Sequence, residues 1–280
     1  MTVIESLAIT IAVAAGVLGL LIGSFLNVVI YRVPNGMSLV RPASACPKCG
    51  HAIKGYDNVP VLSWLLLRGK CRNCKTGISS RYPLVEAGTA VFFAVVAAYM
   101  IASANLSTAP TTVASTLVLI AFLYLVAITV ALALIDIDVR RLPDAIVVPG
   151  YLVAIVLFLA ASILTGSWGA LVQAGVGMVG AAAVYFILMF IRPDAMGFGD
   201  VKLAGLLGLF MGWSGWGSLL IGTFAAFVLG GVYGIILILA RRAKRKSGIP
   251  FGPWMLAGAW VGIFFGQSIW GAYLALLGNS

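Results

Sequence analysis

Charge is scarce in this chain. Of 280 residues only 9% are Asp, Glu, Lys or Arg, eight are acidic, one is histidine, and 62% are hydrophobic. With a mean hydropathy of +1.10, that shortage excludes an ordinary soluble domain. The apolar runs are long enough to cross a bilayer, which takes roughly 20 residues per helix. A removable signal peptide is not evident. Residues 4–31 are too long for one and lack a preceding basic segment, so they are read as a retained helix. Cysteine is nearly absent as well, with four residues, all in one polar stretch.

What charge there is has a strong sign and a strong pattern. The net charge of +10 could point to nucleic acid, but the 18 basic residues fall into four segments only. Residues 32–81 hold Arg32, Arg41, Lys48, Lys54, Arg68, Lys70, Arg72, Lys75 and Arg81. Arg140 and Arg141, then Arg192 and Lys202, then Arg241, Arg242, Lys244, Arg245 and Lys246 make up the rest. Segments such as 104–112 and 166–168 carry none. This alternation follows the positive-inside rule, so the four basic segments are expected in the cytoplasm and nucleic acid is not expected as a partner. The last basic run reads as a topology determinant that also touches anionic lipid.

The expected fold is an all-α polytopic membrane protein with about eight transmembrane helices, at roughly 4–31, 83–103, 113–135, 145–165, 169–191, 201–213, 217–240 and 251–277. Both termini then lie outside. The sixth helix is short and rich in glycine, so it tilts or crosses only part of the bilayer. Small residues recurring within helices, as in Gly175, Gly177 and Gly180, read as close helix packing. The chain divides into a first helix (1–31), a cytoplasmic loop domain (32–82) and a membrane domain (83–280).

The loop domain is too short to build much core unaided. It contains Cys46-Pro47-Lys48-Cys49 and Cys71-Arg72-Asn73-Cys74, separated by 21 residues, just beyond the usual window for paired Cys-x-x-Cys zinc sites. Four thiolates suit tetrahedral zinc, with two ligands from each tight turn. A reducing compartment disfavours the alternative of disulfides, and a redox role is a third reading. His51 follows the first pair and reads as a surface histidine rather than a ligand.

Two carboxylates stand where long apolar runs meet short polar loops. Asp136 ends the third helix and Asp200 opens the sixth, after Gly197-Phe198-Gly199. A carboxylate near membrane depth is costly unless paired, hydrated or used. Two close together cannot easily both ionise, so the pair shares a proton. One member then activates water while the other polarises a carbonyl, as in an aspartyl protease. Gly197 and Gly199 let the backbone approach a substrate or the facing helix closely. The competing reading is proton or cation coupling in a transporter. Asp138 and Asp144 read as solvated or helix-capping residues beside Arg140, Arg141 and Pro143, and Asp194 as a turn residue. Glu86, near the start of the second helix, divides between a capping or Arg-paired role and a functional one.

The combination of motifs resembles the bifunctional type IV prepilin peptidases, which are intramembrane aspartic proteases of the Gly-x-Gly-Asp type. Residues 23–32, Gly-Ser-Phe-Leu-Asn-Val-Val-Ile-Tyr-Arg, are similar to the family's first-helix signature. Arg41-Pro42 with the first cysteine pair, Asn58-Val59-Pro60-Val61-Leu62-Ser63-Trp64, Arg68-Gly69 with the second pair, and Arg81-Tyr82-Pro83-Leu84-Val85-Glu86 continue the likeness. Asp136 with Leu142-Pro143-Asp144, Gly197-x-Gly199-Asp200, and Ile249-Pro250-Phe251-Gly252-Pro253 complete it over nearly the whole chain.

The resemblance implies cleavage of prepilins or pseudopilins of type IV pilus and type II secretion systems. The cut falls after a glycine, at the cytoplasmic face of the inner membrane. It also implies methylation of the new N-terminal residue with S-adenosylmethionine. Asp136 and Asp200 align with the catalytic aspartates, and the four cysteines with those of bifunctional members. The methyl-donor site has no recognisable motif, and Glu86 and residues 58–64 are its candidates. Lys202, or Arg140 and Arg141, would receive the acidic residue that such substrates carry just after the cut. A zinc-loop scaffold for a secretion machine is a third functional reading.

Overall fold

A computed structural model describes residues 3–104, 106–192, 196–240 and 250–278. Asp194, the basic run 241–246 and Ile249 lie outside the described residues. The described chain forms nine α-helices and one short 3-10 turn at Gly55–Asp57. The helices are α1 (Val3–Arg32), α2 (Leu62–Leu66), α3 (Arg81–Ala102), α4 (Ala109–Val139), α5 (Asp144–Thr165), α6 (Trp168–Ile191), α7 (Phe198–Ser214), α8 (Trp216–Leu239) and α9 (Gly252–Leu276).

All eight expected helices are present, and α2 is an addition inside the loop. Seven of the described helices are long and apolar enough to cross a membrane. The exception is α7, which has 17 residues. At about 1.5 Å rise per residue it is about 25 Å long, short of the ~30 Å hydrocarbon core. Its sides are buried almost throughout, from Val201 to Gly212.

The chain separates into two compact units. The first comprises residues 1–104 and 122–131. In it α1 packs along α3 through glycines. A Cβ on Gly19 would lie 2.8 Å from the Ala90 Cα, and one on Gly23 2.7 Å from the Glu86 Cα. This is the close approach that small residues permit in membrane helices. Arg32, buried at the end of α1, donates to the carbonyls of Ser38 (2.9 Å) and Pro42 (2.7 Å), so the helix hands the loop its starting direction. Between Arg32 and Arg81 lies the cysteine loop, which thus belongs to the same unit as α1 and α3.

The second unit comprises residues 105–121 and 132–280. Its centre is α7, packed against α5, α6, α8 and α9. The expected small-residue contacts are here. A Cβ on Gly177 of α6 would meet the Gly212 Cα of α7 at 3.1 Å, and one on Gly262 of α9 would meet the Gly222 Cα of α8 at 2.6 Å. Gly175 and Gly180, by contrast, face open space. Phe158 of α5 stacks on Trp213 at 4.3 Å and meets Phe210 edge-on at 5.3 Å, which fixes α5 against α7.

Candidate active site and metal centre

The two carboxylates of the second unit are each held by a backbone N–H. Asp136 is 5% exposed, and its Oδ2 accepts from the Gly252 N–H at 3.0 Å. A side chain there would displace the carboxylate, because a Cβ on residue 252 would stand 2.7 Å from that same oxygen. Asp200 lies in the first turn of α7, where a negative charge meets the positive end of the helix. Its Oδ2 accepts from the Gly197 N–H at 2.8 Å, reaching back to close the helix start.

Leu142 packs against Gly252 and against Gly199, the residue before Asp200. A Cβ on Gly199 would contact the Leu142 Cβ at 3.2 Å, and one on Gly252 would contact the Leu142 Cδ2 at 3.3 Å. The stretch after α4 therefore packs on both glycines that flank the carboxylates. The charge of Asp200 acts on Asp136, and so does that of Arg140. Both aspartates thus lie beside glycines on which Leu142 packs.

Three expectations change in detail. Asp136 does not end its helix: α4 continues to Val139, and Arg140 closes it in the left-handed conformation (φ 53°), donating to the Asp136 carbonyl at 2.9 Å. The expected boundary took a charged side chain as the end of the apolar run, but the backbone hydrogen bonds of a helix do not require apolar side chains. Asp144 is exposed and at a helix start, as expected, but has a partner as well. It opens α5 and forms an ion pair with Lys202. Lys202, whose ammonium also lies 5.2 Å from the centre of the Phe198 ring, is therefore already engaged within the protein. The Tyr151 hydroxyl donates to the Lys202 carbonyl at 2.6 Å, a further tie between α5 and the first turns of α7.

The glycines also sort themselves. Gly199 packs tightly on Leu142, so that a Cβ there would push the leucine back, whereas a Cβ on Gly197 meets nothing closer than 3.7 Å. The contribution of Gly252 was missed at the sequence level. Its signal was present as the Pro250-Phe251-Gly252-Pro253 turn, but nothing in that stretch says which distant side chain its N–H serves.

In the first unit the four cysteines converge. Their Sγ atoms all lie within 4.8 Å of one another, and Cys46 Sγ stands 3.8 Å from Cys74 Sγ. A tetrahedral zinc with bonds of about 2.3 Å separates its sulfurs by about 3.8 Å, so the donor set fits. The cysteines are free, not paired as disulfides. Each pair sits in a tight turn: Cys46 N–H donates to the His51 carbonyl (2.9 Å) and Cys71 N–H to the Thr76 carbonyl (2.8 Å). Short antiparallel bridges at Ala45–Ala52 and Lys70–Gly77 flank the turns. The N–H groups of Cys49 and Lys48 point at the Cys46 sulfur and pull its thiol down to about 6, while burial and the neighbouring sulfurs push the Cys49 thiol up to about 11. His51 is exposed and outside the cluster.

Glu86 is buried in α3 and does not cap its helix. Its Oε2 accepts from the Val61 N–H of the loop at 2.7 Å.

Comparison with known proteins gives a consistent picture. Residues 17–100 match the model of the bacterial peptidase A24 N-terminal domain, and residues 123–235 that of the type IV leader peptidase family. A prepilin leader peptidase/N-methyltransferase of Pseudomonas putida is 36% identical over 291 residues, covering 94% of each chain. One from Stutzerimonas stutzeri is 34% identical over 304 residues, covering 98% of each. One from Myxococcus xanthus is 40% identical over 231 residues, covering 82% of this chain and 64% of the relative. No solved structure matches.

Proposed function

We propose, for a chain that belongs to the prepilin leader peptidase/N-methyltransferase family, that peptide cleavage is performed by Asp136 and Asp200 and that methyl transfer depends on the cysteine loop. The observation that carries the first half is the pair itself: two carboxylates, each held by a glycine N–H, close enough for one charge to act on the other. One ionised member takes a proton from water, and the protonated member donates to the scissile carbonyl. The backbone donors orient the carboxylates without bringing another titratable group to them. Gly197, which no neighbour crowds, leaves the backbone beside Asp200 open to a substrate. The transporter alternative finds no support among the relatives.

The substrates are type IV prepilins or pseudopilins, cut after a glycine and methylated on the new N-terminus. The pattern of basic segments supports a cytoplasmic position for the loop and the carboxylate pair at the inner membrane. Zinc, held by Cys46, Cys49, Cys71 and Cys74, is structural: all four ligand positions are protein thiols, which leaves no open position for chemistry. S-adenosylmethionine would supply the methyl group when bound, and residues 58–64 of the loop with Glu86 of α3 mark the region proposed to receive it. Lys202 takes the acidic residue of the substrate, its ammonium divided between that carboxylate and Asp144.

Mass spectrometry of a prepilin incubated with the purified protein, phospholipid and S-adenosylmethionine tests this reading. Loss of the leader is expected with the wild type and not with Asp136→Ala or Asp200→Ala. Cleavage unaffected by either substitution would refute the pair.

A further inference from the structure

One backbone conformation in the loop runs against its residue type. Val61 stands at φ 60° and ψ −49°. The Leu62 N–H donates to the Pro60 carbonyl at 2.6 Å, closing a γ-turn around Val61. Positive φ is an outlier for a β-branched residue, and γ-turns of this hand are rare and strained. Such a turn persists only where its surroundings over-determine it, and strain of this kind collects at functional sites.

The surroundings here are explicit. The Ser63 Oγ accepts from the Val59 N–H and donates to the Tyr56 carbonyl, each at 3.0 Å. The Trp64 Nε1 donates to the Ile78 carbonyl at 3.1 Å. Arg72, between the second pair of cysteines, grips Asp57 through two nitrogens at 2.6–3.0 Å. All of these ties are internal to the loop. The bond on the strained residue itself is different, because its acceptor is Glu86 on a membrane helix. Glu86 stands where α3 lies closest to Gly23 of α1, so its position is set by helix packing rather than by the loop.

We propose that Glu86 is a positioning residue for methyl transfer: it clamps the Val61 γ-turn and thereby holds the Asn58–Trp64 segment in its working shape. The proposal rests on the reading that the loop carries methyl transfer. It assigns Glu86 an action through the backbone of Val61. A carboxylate oxygen is needed there as a hydrogen-bond acceptor, and its negative charge is not.

The test uses the full-length protein in phospholipid with a prepilin and S-adenosylmethionine, scoring leader loss and methyl gain separately. Glu86→Ala is expected to lower methyl transfer by about tenfold or more while cleavage stays within about twofold, the split expected when only one activity loses its geometry. Glu86→Gln is expected to retain methyl transfer, since its amide oxygen accepts the same N–H. Val61→Gly, added to Glu86→Ala, is expected to restore methyl transfer to within about threefold of wild type, because glycine populates positive φ without a clamp.

Wild-type methylation by Glu86→Ala would overturn the proposal. So would an equal loss of both activities, an inactive Glu86→Gln, or a double variant no better than Glu86→Ala alone. A Cys46→Ser protein that still methylates would defeat the reading of the loop itself, whatever the Glu86 variants show.

Discussion

The carboxylate pair and the cysteine cluster solve the same problem with opposite means. Both gather groups that resist being brought together. The thiols are gathered locally, by two short turns whose own hydrogen bonds shape them, and a metal would complete the set. The carboxylates are gathered over long distances in sequence. Asp136 depends on the N–H of Gly252 and, through Leu142, shares its neighbours with Asp200. The first design needs little core and tolerates a polar loop. The second needs a finished helix bundle, because only packed helices can place backbone donors inside an apolar region at a fixed distance. The two sites should accordingly fail in different ways.

The largest expected effect is on the carboxylates. Asp136→Ala and Asp200→Ala should each lower cleavage by about 10³-fold or more, in keeping with loss of a general acid or base. Methyl transfer to a peptide that already lacks its leader should persist, and a coupled assay against a free-peptide assay separates the two.

Gly252→Ala comes next. The added methyl would collide with the carboxylate oxygen that the Gly252 N–H holds. Cleavage should fall about 10²-fold from the displacement of one reacting group, with substrate affinity nearly unchanged. Steady-state kcat and KM on a prepilin would show this, and a loss confined to KM would contradict it.

Metal removal should act on the other site. Stripping the cysteine loop with a strong chelator should abolish methyl transfer and leave cleavage within about threefold, because the N–H groups that hold the carboxylates come from Gly197 and Gly252, outside the loop. Metal content by elemental analysis, read beside both activities, checks it.

The smallest effect is expected at Lys202. Its partner Asp144 is well exposed, so the ion pair itself adds little. Lys202→Met should raise KM for a prepilin about fivefold with little change in kcat, because it removes a binding contact rather than a reacting group. Unchanged processing would remove Lys202 from the substrate site.

The comparison also shows which features a sequence discloses. Helices α1, α3 to α6, α8 and α9 are legible as apolar runs, since nothing but length and hydropathy is needed. The cysteine cluster is legible because its ligands come in two local pairs. Asp136 and Asp200 are legible because carboxylates are so rare here. What stays hidden is every contact that depends on tertiary placement. The service of Gly252 to Asp136 spans 116 positions, and no periodicity encodes it. The end of α4 was misplaced because a buried charge looks like a boundary. The Val61 turn was invisible for a stronger reason: turn chemistry assigns positive φ to glycine or asparagine, and valine is among the last residues it would choose. Where local preference and structure disagree, something distant is holding the backbone, and here that is Glu86.

The central claim is that two chemistries occupy two separable sites. Its most direct test is the mass of the pilin produced by Cys46→Ser in phospholipid with S-adenosylmethionine present. The account predicts a product that has lost its leader and lacks the added methyl group. A product carrying the methyl group, or an uncut prepilin from protein that is folded, would contradict it.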